Sequence, residues 1–114
     1  MPRLTAENLE KNKLTFAKIS EIASRKGCSP CQLSLAWIFH QGNDISPIPG
    51  TTKVKNLEDN IGALSVKITL DEMKEIENIL STHGFSGNRV PDDEEDLTWM
   101  NSDTPPLSTW KDAV

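Results

Sequence analysis

The chain has 114 residues, with 17 acidic side chains against 12 Lys and Arg, a net charge of −5. That length holds one small domain rather than two, and the acidic balance argues against a nucleic-acid or anionic-membrane partner. No apolar run approaches the ~20 residues of a membrane span, and no signal-peptide pattern follows Met1. Two cysteines cannot build a disulfide framework, so a reducing, cytoplasmic setting is the default expectation.

The first element is an amphipathic helix from about Glu7 to Lys26. Leu9, Phe16, Ile19, Ile22 and Ala23 recur at spacings of three, four and seven. Glu7 and Glu10 suit its positive end, Arg25 and Lys26 its negative end, and Gly27 offers a left-handed stop. A second helix follows at once. Ser29 can cap it, Pro30 fits the first turn, and Gln32 stands where a capping-box partner belongs. Leu33–Phe39 is apolar nearly all round, so this helix needs burial on most sides, and Gly42 is expected to end it.

Ile45-Ser46-Pro47-Ile48-Pro49-Gly50 is too short and too rich in proline for a helix. It reads as a short strand running into a loop, with pairing limited by the missing proline N–H groups. A third helix places Leu57, Ile61 and Leu64 on one face. Thr69 and Glu72 form another capping box, opening a fourth helix with Met73, Ile76, Ile79 and Leu80 inward. Residues 1–80 thus make the structured part. Ser81–Val114 is a tail without periodicity, carrying the acidic run Asp92–Asp96 and the anchors Trp99, Leu107 and Trp110. One strand has no sheet to join, which suggests part of a larger α/β structure.

Pro47–Lys53 is the segment richest in chemistry. It runs from strand end to helix start, where free backbone N–H groups meet anions. Gly50 admits a ligand close to the backbone, Thr51 and Thr52 add hydroxyls, and Lys53 adds a charge, so phosphate is the natural ligand class. Asn56, Asp59 and Asn60, one and two turns on, offer groups suited to the edge of an adenine. The same residues also read as an ordinary polar helix start capped by Thr51 or Thr52. Cys28-Ser29-Pro30-Cys31 has redox spacing at a helix start, yet it lacks the further ligands a zinc site needs. No metal site is expected.

These residues resemble the C-terminal part of an aldo-keto reductase, of the plant auxin-induced-protein and perakine-reductase type. The matching stretches are Glu7–Lys13, Gln32–Trp37, Ile48–Lys53, Asn56–Leu64 and Thr104–Leu107. The resemblance implies an α/β fold, the last third of a (β/α)8 TIM barrel, locally mostly helical with one short strand. It implies reduction of a small-molecule carbonyl substrate with NADP(H). Gly50, Thr51, Thr52 and Lys53 would surround the 2′-phosphate of that cofactor, and Asn56, Asp59 and Asn60 would hold its adenine. Asn56 stands where many relatives carry Arg or Gln, and Asp59 where many carry Glu, so both side chains are shorter than the pattern. The family's proton donor is a tyrosine assisted by Lys, His and Asp, and this sequence has no tyrosine. No catalytic residue is therefore expected here, and the isolated chain should not turn over. The alternative expectation is a non-enzymatic product that pairs with itself or with a full-length reductase through its unmatched apolar helix and strand.

Overall fold

Local signals in the chain start and stop each helix. The computed structural model describes residues 1–91. After a 3₁₀ turn at Pro2–Leu4, the Thr5 hydroxyl accepts the Asn8 N–H and opens α1, Ala6–Lys26. Gly27 ends α1 at φ 70°, a conformation that costs glycine little. It lets the Cys28 N–H reach back to the Ala23 carbonyl at 3.0 Å. Helix α2, Pro30–Phe39, opens with a complete capping box between Ser29 and Gln32. Helix α3 spans Val54–Gly62 and tightens into a 3₁₀ turn at Ala63–Ser65. A second complete capping box, between Thr69 and Glu72, opens α4, Leu70–Thr82.

The helices pack in the order α4, α1, α2, α3, each touching the next. Ile19, Ile22 and Ala23 of α1 meet Leu33 and Ala36 of α2, Ile76 of α4 and the preceding Ile68. Met73, Ile79 and Leu80 pack on this cluster half-buried, so α4 turns the expected face inward. Thr15 is fully buried with them. Its hydroxyl donates to the Gly84 carbonyl at 2.7 Å, which satisfies the group in the core and fixes the chain beyond α4. Asn12 continues that seam: its Oδ1 accepts the Ser86 N–H at 2.7 Å and its Nδ2 donates to the Ser86 carbonyl at 3.1 Å. Arg3 Nε donates to the Gly87 carbonyl at 2.9 Å.

Two expectations are corrected. Among the described residues there is no strand: Ile45–Gly50 runs as irregular chain. A strand exists through its ladder, and here Pro47 and Pro49 lack donors and no neighbouring strand supplies a partner. Helix α2 stops at Phe39, ahead of Gly42. The last carbonyls are met locally: the His40 N–H reaches those of Ala36 and Trp37 at 3.2 Å, and the His40 ring nitrogen Nδ1 and Gln41 Nε2 add bonds to the same two at 2.7 and 3.1 Å. Helix α2 keeps the unmatched apolar surface expected of it: only Leu33 and Ala36 are buried, while Leu35, Trp37, Ile38 and Phe39 remain half-exposed. The expected apolar face of α3 is also open, with Leu57, Ile61 and Leu64 all at least half-exposed. Asp92–Asp96, Trp99, Thr104–Leu107 and Trp110 lie outside the described residues.

Candidate functional site: the amino end of α3

Residue 53 decides the character of this helix start. Lys53 is the N-cap of α3 in extended conformation, and its side chain caps nothing. Neither threonine caps the helix. Thr51 Oγ1 instead accepts the N–H of Lys53 itself at 3.1 Å, closing a tight polar turn one residue too early. The N–H groups of Val54, Lys55 and Asn56 are left facing outward from the first turn.

The electrostatics favour an anion at that end. Helix α1 carries Glu7 in its first turn and α4 carries Asp71 and Glu72, whereas α3 carries no acidic residue there. Helix α2 also lacks an acid but has its serine cap. The positive end of α3 is thus uncompensated by its own sequence. Gly50, Thr51, Thr52, Lys53 and Asn56 are all exposed, and a Cβ at Gly50 would meet nothing within 4 Å. Among the described residues no hydrogen bond or ion pair engages the Lys53 ammonium. Backbone donors, a hydroxyl and a lysine make a donor set that suits a phosphate.

The second turn is arranged differently. Asp59 is half-buried and its carboxylate is paired with Lys55 Nζ at 3.1 Å, one turn back. Lys55 is not among the expected site residues, yet i, i+4 spacing brings such a pair together on any helix. Asn60 is half-buried and lines, with Pro49, the rim of an open apolar groove of about 540 Å³. Phe16, Leu35, Trp37, Ile38, Leu80 and Phe85 form much of its wall. The Trp37 indole N–H is buried beside it with no acceptor among the described residues. So Gly50–Lys53 and Asn56 share the exposed helix start, while Asp59 is held by its neighbour and Asn60 borders apolar surface.

The cysteine pair shows no sign of activation at its half-buried member. Both thiols are free, and burial pushes the Cys28 thiol above its ordinary range, the reverse of what a nucleophilic thiolate needs.

Comparison with known families assigns the chain. Its sequence matches the profile of the Aldo/keto reductase family over residues 2–81. The chain belongs to that family. Membership implies a (β/α)8 barrel as the parent fold, and four helices of the present kind are compatible with part of such a barrel. Aldo/keto reductases usually bind nicotinamide cofactors, and the uncapped start of α3 has donors that fit the phosphate of one. No helix among the described residues is long and apolar enough to cross a membrane.

Proposed function

We propose that this chain is the C-terminal segment of an NADPH-dependent aldo-keto reductase of the plant type, supplying the adenine and 2′-phosphate end of the cofactor site. The observation that carries the reading is the amino end of α3, uncapped, free of acidic residues and flanked by the Lys53 ammonium. Bound cofactor supplies hydride to the carbonyl carbon of a small-molecule substrate. This chain's contribution is binding: first-turn N–H groups and Lys53 neutralise the 2′-phosphate, and Asn56 and Asn60 lie beside the adenine. Asp59 joins them on release from Lys55. With no tyrosine in the sequence, the proton donor belongs to the rest of the barrel.

The test uses two nucleotides that differ in one phosphate. Adenosine 2′,5′-bisphosphate should shift the backbone amides of Val54–Asn56 more strongly, and at lower concentration, than adenosine 5′-monophosphate. Lys53→Ala should weaken the bisphosphate about tenfold, or ~1.4 kcal/mol, and leave the monophosphate nearly unchanged. Equal weakening of both would remove Lys53 from the 2′-phosphate.

A second reading is favoured by the open groove, on whose wall the large apolar side chains Phe16 and Phe85 are exposed. On that reading the chain acts without catalysis, pairing with a second copy or with a complete reductase.

A further inference from the structure

The Gln32 carboxamide faces two ways. Its Oε1 accepts the Ser29 N–H at 3.0 Å and completes the capping box of α2. Its Nε2 donates to the Asp59 carbonyl, 27 positions away in α3, at 3.1 Å. The two partners fix the orientation of the amide, because an N–H must meet its oxygen and a carbonyl its nitrogen. The Asp59 carbonyl is open to an outside donor for a local reason. As α3 tightens into its 3₁₀ turn, the Ala63 N–H goes to the carbonyls of Asn60 and Ile61 rather than to that of Asp59. Gly62 leaves the space required, since a Cβ there would stand 2.6 Å from Gln32 Nε2.

We infer that Gln32 is a positioning residue for the nucleotide-binding helix, locking α3 in register against the amino end of α2. The inference rests on the proposed phosphate role of α3 for its functional consequence, but not for the geometry. Of the polar side chains bonded to α3 from another helix among the described residues, Gln32 provides the contact. The other side-chain bonds of α3, between Lys55 and Asp59, are internal to it. Losing the tie therefore frees the helix carrying the Val54–Asn56 donors and the side chains of Asp59 and Asn60.

One substitution separates the two bonds. In Gln32→Glu the introduced carboxylate still accepts the Ser29 N–H, but it has no hydrogen to give Asp59. Ser29→Ala does the converse, removing the hydroxyl cap while leaving the amide on Asp59. Both are compared with the wild-type full chain by amide hydrogen exchange and by titration with adenosine 2′,5′-bisphosphate. We expect Gln32→Glu at pH 7 to reduce protection of α3 amides about tenfold and weaken the nucleotide about 3- to 10-fold, the range for one net hydrogen bond. Ser29→Ala should deprotect α2 alone. Acidification below the ordinary range of a glutamate, about pH 4, returns a hydrogen to the introduced carboxyl and should restore α3 protection, a signature that simple loss of packing lacks. Gly62→Ala, which crowds the amide from the α3 side, should reproduce the α3 deprotection.

Unchanged α3 exchange in both Gln32→Glu and Gly62→Ala would overturn the positioning role. Deprotection of α3 and α2 alike in both Gln32→Glu and Ser29→Ala, with no recovery in acid, would also overturn it, reducing Gln32 to a cap. Should wild type fail to bind the nucleotide while Gln32→Glu deprotects α3 reversibly, the phosphate reading falls and the α2–α3 lock stands.

Discussion

At the scale of single residues, Glu72 joins two helices and one cap. Its carboxylate accepts the Thr69 N–H at 2.7 Å and takes the Lys26 ammonium at 2.8 and 2.9 Å, linking the end of α1 to the start of α4. The pair is largely sheltered, with side chains 15% and 25% exposed, unlike the solvent-washed pairs along α1. The Lys26 hydrogen bonds, and after them the Thr69 N–H, hold the carboxyl down to about 2 from an ordinary 4.5. A carboxyl whose pKa is lower in the folded chain gives stability that is complete above the unfolded value and lost as pH falls through the folded one. The window here runs from about pH 4.5 down to about 2. Lys26→Met should cost about 1–3 kcal/mol at pH 7, and its deficit against wild type should shrink steadily across that window. Thermal melts at pH 7, 4.5, 3 and 2 measure the difference, and a deficit independent of pH would mean that Lys26 contributes packing only.

At the scale of elements, the segment after α4 shows how a chain without periodicity acquires a fixed path. Gly84, Ser86 and Gly87 are held in turn by Thr15, Asn12 and Arg3, so the amino half of α1 and the turn before it form a polar rail. Asn12 makes the central double contact. Asn12→Ala should release this stretch and raise the rate of tryptic cleavage after the exposed Arg89 about tenfold, while the melting of the helical core changes little. An unchanged cleavage rate would show that Thr15 and Arg3 suffice. The same rail explains what could be read from the chain beforehand. Gly27, Ser29–Gln32 and Thr69–Glu72 act within three or four positions, so their roles are legible as local spacing. Thr15 sits four residues before Ile19 on the apolar stripe, a position that signals burial, but its hydroxyl obscured it. The bonds of Gln32 to Asp59 and of Lys26 to Glu72 join residues far apart in the chain, and nothing local encodes them. Ile45–Ile48 is irregular rather than a strand for a related reason, since extended propensity becomes a strand only when a partner is at hand. At the candidate site, the polar run Gly50–Lys53 ahead of an apolar-periodic segment marks a helix start, and it stands exposed there. Asp59 is captured by Lys55, a competitor for the same carboxylate one turn back on the same helix.

At the scale of the whole molecule, α2 is covered unequally. One of its sides is sealed by α1 and α3, yet Leu35, Trp37 and Ile38 line an open groove, and Phe16 and Phe85 on its wall are 60% and 59% exposed. In the parent barrel fold, helices of this kind cover a sheet, and among the described residues there is no sheet to cover. An uncovered wall of this sort raises the free energy of the isolated chain by roughly 25 cal/mol for each Å² of apolar area in water. It should therefore bind apolar dyes and associate. We expect the wild-type chain to enhance the fluorescence of an anilinonaphthalene sulfonate dye and to sediment with a mass that rises above 12.7 kDa with concentration. Ile38→Asp separates folding from covering. Facing the open side of the groove, the new carboxylate should lower the stability of the chain alone by no more than about 1.5 kcal/mol, because water still reaches it. Under any cover, whether a second copy or the strands of a complete barrel, the same charge is desolvated and costs several kcal/mol. The variant should accordingly remain at 12.7 kDa at every concentration and lose most of the dye signal, with a melting temperature within a few degrees of wild type. A collapse in stability for the chain alone would place Ile38 in a closed interior. A wild-type chain that neither binds dye nor associates would mean that the groove is already covered from within.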